Sequence, residues 1–193
     1  MSFNICLLMN QLTNVRCCCF ILISFIFTAD PVMARKHQMN INGSAAFESQ
    51  VSSCLDVLFE NYPHAYKFVN KHIGIIAQSR ISGMIAWNQP PIYQMSSKTA
   101  NYSLTWCAST IAHDAYHSFL YKKHRPKNGS RTPERYWADF KAEILSIIYQ
   151  IRVAKKIGAP QYELDYLDTL DGKHADVDGN GTVNLKDYAE RDW

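Results

Sequence analysis

The sequence predicts an α+β fold, mostly helical, with a small sheet placed just before one long helix. Three observations carry that reading. Apolar residues recur every three or four positions from Ala46 to about Val69, from about Thr99 to Lys123 and from Thr132 to Gly158, the spacing that gives a helix one buried stripe. Between the first two stretches lie three short isoleucine-containing runs, HIGIIAQ, RISGMIAW and PPIYQMS, broken by Ser-Gly and Pro-Pro as strands are broken by turns. The 193 residues are 47% hydrophobic and 19% charged, enough apolar material for one globular core.

The N-terminus reads differently. Arg16 precedes the apolar run CCCFILISFIF, and TADPVMA follows it with Val32 and Ala34 at the small-residue positions of a cleavage site. This is the pattern of a secretory leader, residues 1–34, cut after Ala34. Met9 would serve equally as a start. The run is shorter than the ~20 residues a bilayer needs, so no permanent membrane anchor is expected; an anchored form would hold the domain outside the cytoplasm as well. A secreted or periplasmic location follows.

Cys6, Cys17, Cys18 and Cys19 leave with the leader, and Cys54 and Cys107 remain. An exported chain with one pair is permissive for a disulfide, here closing a 53-residue separation and stabilising by about 3–4 kcal/mol; two buried thiols are the alternative. The net charge of +3 comes without a run of five basic residues, so nucleic acid is not an expected partner.

Taken in order, residues 35–45 are polar and uneven and read as a flexible lead-in. The first helix carries Phe47, Val51, Leu55 and Leu58 on one side and runs to Tyr62-Pro63, with a shorter helical turn after the proline. The three strands follow. The long helix has Leu104, Ala108, Ile111, Ala115 and Phe119 as its stripe. After the polar loop HRPKNGSR, Thr132 is a candidate cap and Pro133 a first-turn residue of the next helix. Its stripe is Tyr136, Phe140, Ile144, Ile147 and Ile151, and it stops at Gly158-Ala159-Pro160. A further helix, QYELDYLDTL, leads into the tail.

The long helix also carries His113, Asp114 and His117. The two histidines stand one turn apart and about 200° around the wheel from Ile111 and Ala115, off the core stripe. Both imidazoles can therefore reach one ion at the ~2.0–2.1 Å that zinc requires. A catalytic site needs a third protein ligand and an open position, and Glu143 on the next helix is the candidate. A carboxylate turned toward a packed interface is costly unless a cation meets it. Asp114 would act as general base, taking a proton from the attacking water.

The run His113-Asp114-Ala115-Tyr116-His117 resembles the HExxH helix of zincin metallopeptidases, with aspartate in the glutamate position. Glu143 resembles the downstream glutamate ligand of the gluzincin branch. The resemblance covers about half of the mature chain, and residues 46–172 would form the metallopeptidase-like domain. It implies a zincin-like fold, in which a strand such as PPIYQMS lines the cleft, a zinc cofactor held by His113, His117 and Glu143, and hydrolysis of a peptide or amide bond in a peptide or protein substrate. The aspartate is one methylene short of the usual glutamate, which bears on turnover rather than on metal binding. His174, Tyr136 and Tyr188 are of the right type to donate to the oxyanion.

Two other readings compete. His113-Asp114 also resembles the central pair of HD-type phosphohydrolases, which would enlist His64 or His72 and Asp139 but leaves His117 idle. A non-catalytic, metal-stabilised binding domain would keep the ligands without turnover. No phosphate loop, nucleophile elbow or dinucleotide fingerprint is present.

Residues 173–193 form a tail with the most specific motif in the chain. Asp176, Asp178, Asn180 and Asn184 match positions 1, 3, 5 and 9 of a calcium loop, with Gly181 at 6, Thr182 at 7, Val183 at 8 and Asp187 at 12. DVDGNGTVN resembles the loop of dockerins. A dockerin carries two such loops, so a structural calcium is the expectation here, not cohesin binding; an Asn/Asp/Gly-rich turn held by its own side chains is the alternative.

Overall fold

The structure, a computed structural model, describes residues 37–183 and 185–190. The leader, Asn184 and the side chain of Tyr188 lie outside the described residues. The fold is α+β and mostly helical, as expected.

Four strands make one sheet: β1 (Asn40–Asn42), β2 (Ile75–Ser79), β3 (Gly83–Ile85) and β4 (Ile92–Ser96), in the order β1-β2-β4-β3. β1, β2 and β4 run parallel, and β3 pairs antiparallel with β4 at the edge. Tyr93 stands at the centre, opposite Ile76 on one side and Met84 on the other, and all three are buried. Gly74 lets the chain enter β2 against Pro90, since a Cβ there would come within 2.3 Å of the proline ring.

The stretch expected to be a lead-in is not free. Asn40–Asn42 is strand β1, and Met39 beside it is 5% exposed. A three-residue polar strand shows no alternation strong enough to read, because parallel pairing to β2 places it.

Helix α1 (Ala45–Asn61) starts on the Ser44 cap, whose hydroxyl accepts from Phe47 N, and ends at Tyr62 before Pro63 opens α2 (Pro63–His72). A short α3 (Ser97–Asn101) precedes the long α4 (Leu104–Lys123), capped by Ser103. α4 is the central element. Its Ala108, Ile111 and Ala115 are fully buried, while Leu104, assigned to the same stripe, is 43% exposed. α1 and α2 cover one side of α4, and α5 (Phe140–Lys156) covers another. The Sγ atoms of Cys54 on α1 and Cys107 on α4 lie at disulfide distance, with Cα atoms 5.8 Å apart.

Two expectations for α5 are corrected. The helix begins at Phe140, not at Thr132: Asp139 is its cap and accepts from Lys141 N and Ala142 N. Thr132 instead donates its buried hydroxyl to the Tyr121 carbonyl. The inward face is Ala142, Glu143, Ser146, Ile147, Gln150 and Val153, whereas Ile144 is 41% and Tyr136 41% exposed. The stripe was misplaced because Glu143, Ser146 and Gln150 share the buried side of this helix with its apolar residues, and apolar periodicity cannot mark such a mixed face. α6 (Gln161–Asp168), a 3-10 turn (Lys173–Ala175) and α7 (Leu185–Glu190) complete the chain.

Candidate metal centre

The polar face of α5 meets the histidine face of α4. The Nε2 atoms of His113 and His117 are 3.1 Å apart, and Oε2 of Glu143 lies 3.4 Å from the first and 3.6 Å from the second. These three side chains form a group that can hold a metal ion. His117 and Glu143 are each 3% exposed and His113 14%, so the pair is not on a wet helix face.

Burial alone would push the His117 imidazolium down and the Glu143 carboxyl up. Their mutual attraction overrides it: His117 is raised, and Glu143, beside both histidines, is held well below the ordinary carboxylate range. A buried carboxylate that stays ionised demands a positive partner, whether a proton on an imidazole or a cation between the three groups.

The site opens on a cavity of about 430 Å³. Asp114 lines it and is 8% exposed, so one helical turn delivers both histidines and the acid to the same space. Tyr93 of β4 and Gly83 of β3 form the strand side. The Tyr93 hydroxyl is fully buried near Thr110, Ser82 and Asp114 and is pushed well above its usual range by burial and by the charge of Asp114.

Of the oxyanion candidates, His174 lines the cavity. Tyr136 does not: it is exposed and stacks on His124 at 5.2 Å. The phosphohydrolase residues have other work. Asp139 caps α5, His64 is exposed, and His72 packs between the rings of Phe68 and Phe119.

Trp106, which the sequence offers as a core or cleft-wall residue, lines the cavity, and several further lining residues escaped the sequence reading: Tyr93, Thr110, Gln150 and Tyr166. Trp106 and Thr110 were recoverable, since they continue the His113 face toward the N-terminus at helical spacing. Tyr93, Gln150 and Tyr166 arrive by tertiary packing and carry no local signal.

In the tail, carboxylate oxygens of Asp176, Asp178 and Asp187 converge within 4.8 Å of one another, a second group that can hold a metal. Asp187 is fully buried and accepts from Val177 N and Asp178 N, and Asp176 accepts from Asn180 N and Gly181 N. Asn180 accepts from Thr182 N. Gly181 has φ 85°, the conformation that favours glycine at this point of a calcium loop.

No family model matches the sequence, and no curated protein or solved structure matches it.

Proposed function

We propose that this chain is an exported zinc-dependent hydrolase of zincin-like architecture that cleaves a peptide or amide bond. One observation carries the reading. Ligand atoms of a tetrahedral zinc with bonds of 2.0–2.1 Å stand roughly 3.3 Å apart, and the three separations among His113, His117 and Glu143 are 3.1, 3.4 and 3.6 Å. His113, His117 and Glu143 would hold the ion. When bound, it supplies the Lewis acidity that activates water and polarises a carbonyl.

The chain's own residues do the rest. Asp114 takes the proton from the attacking water and returns it to the leaving amine. His174 and Tyr93 supply polar groups to the same cavity, where charge develops on the carbonyl oxygen. Tyr93 keeps its proton at any physiological pH and so acts as a donor. The Cys54–Cys107 pair suits an oxidising compartment. Among the described residues no helix is long and apolar enough to cross a membrane. Calcium in the 176–187 loop would brace the tail.

The test is elemental analysis of the purified chain beside Glu143→Ala. Stoichiometric zinc in the parent and its loss in the variant support the reading. A parent that binds no zinc on reconstitution overturns it.

A further inference from the structure

One face of α4 runs the length of the cavity. From the metal end it presents His117, Asp114, His113 and Thr110, and at its N-terminal end Trp106. There Trp106 meets Tyr102 at 5.5 Å and Tyr166 of α6 at 5.7 Å between ring centroids. Tyr102 is 61% and Tyr166 54% exposed, so two open tyrosine rings flank the half-buried Trp106 where the cavity meets solvent. Clustered exposed aromatics mark a binding surface far more than isolated ones do.

The ring planes are inclined by 57° and 54°, so the three do not make a flat platform for a sugar ring. Inclined rings in mutual contact present a stepped apolar patch, against which an apolar side chain packs by its faces and edges. The spacing along α4 acts as a ruler. Trp106 precedes His113 by seven residues, roughly 10 Å at 1.5 Å per residue. An extended peptide covers that in about three residues at 3.3 Å each.

We propose that the aromatic patch formed by Tyr102, Trp106 and Tyr166 is a specificity subsite for a large apolar or aromatic side chain of a peptide, about three residues from the bond held at the metal centre. The inference rests on the hydrolase reading and gives it a substrate class.

The test is calorimetry on the full chain loaded with zinc, using acetohydroxamate and a ladder of alanine peptide hydroxamates with a single phenylalanine one, two, three or four residues from the hydroxamate. Acetohydroxamate reads the metal centre alone. The expected result is a maximum at three residues, roughly tenfold to a hundredfold tighter than the all-alanine peptide, and abolished in Trp106→Ala. Tyr166→Ala, an exposed position, gives the same readout should the tryptophan variant not fold. A flat ladder, or a preference that survives both variants, overturns the subsite while acetohydroxamate binding leaves the metal centre standing. Absence of acetohydroxamate binding instead removes the metal centre, and the substrate class falls with it. Displacement of the best hydroxamate by N-acetylglucosamine oligomers, and not by an alanine-phenylalanine peptide, overturns the proposal in favour of a glycan.

Discussion

The Nδ1 atom of His117 lies 2.6 Å from the carbonyl oxygen of Trp137. A carbonyl only accepts, so Nδ1 carries a proton, and Nε2 is the nitrogen that faces His113 and Glu143 and would ligate once its own proton is displaced. The His113 Nδ1 is buried with no hydrogen-bond partner among the described residues. The two ligands are thus unequal before any metal binds. In metal-free protein His117→Ala is expected to destabilise by about 1–3 kcal/mol, the range for a buried hydrogen bond lost, and His113→Ala by clearly less. Both lose zinc. Urea unfolding in the presence of a chelator checks the first statement, and equal costs for the two variants would contradict it.

Asp114 separates binding from turnover. Asp114→Asn keeps the side-chain volume and takes away the base, so zinc content should stay at the parent level while hydrolysis falls by roughly 10²–10⁴, the usual share of a general base. Single-turnover rates and metal analysis on one preparation decide it. A variant with parent activity would move the base elsewhere in the cavity.

What could be read from the sequence follows from where local pattern and tertiary demand agree. α1, α4 and the three isoleucine-containing strands were legible because their apolar spacing points at the core and Pro63 stops α1. The convergence of His113, His117 and Glu143, a group that can hold a metal, was legible because the two histidines share one helical turn and Glu143 sits on the next long helix. β1 was not, since three residues held by pairing to β2 have no period. The inward face of α5 was not either: Ser146 and Gln150 are buried beside Glu143, and a hydrophobic count reads such polar residues as solvent-facing. Tyr93 belongs to the run PPIYQMS, which the resemblance places along the cleft, and only the fold sets it beside Asp114.

The tail gives a second, independent metal test. Calcium bound only by the folded loop stabilises by about 2.7 kcal/mol at a hundredfold excess over its dissociation constant. Millimolar calcium should raise the thermal midpoint of zinc-loaded protein, and Asp187→Asn should remove the increment, because Asp187 is the buried carboxylate on which the loop closes. Thermal melts with and without a calcium-selective chelator measure this, and identical midpoints would reject the calcium site.

The Cys54–Cys107 link ties α1 to the helix that carries both histidines. Its separation of 53 residues gives about 4 kcal/mol in the chain-entropy account. Cys54→Ser/Cys107→Ser should lower the urea midpoint and steepen the transition, since the unfolded chain released from the link exposes more surface. A double variant of parental stability would show the pair unlinked in solution.

His72 sets an acid limit on stability away from the metal centre. Burial among Phe68 and Phe119, then the charges of Lys71 and Lys122, lower its pKa from 6.5 to about 4. The sign is that of a depressed group: the folded state prefers neutral imidazole. Its contribution is therefore complete above pH 6.5, declines as the pH falls from 6.5 toward 4, and is gone below that. The full excursion is on the order of 2–3 kcal/mol. His72→Phe keeps an aromatic ring and removes the titration. Unfolding free energies of the metal-free parent and variant, measured between pH 7 and pH 4, should converge or cross as the parent weakens. Parallel curves would mean that His72 titrates alike in the folded and unfolded chains, with its ring open to water.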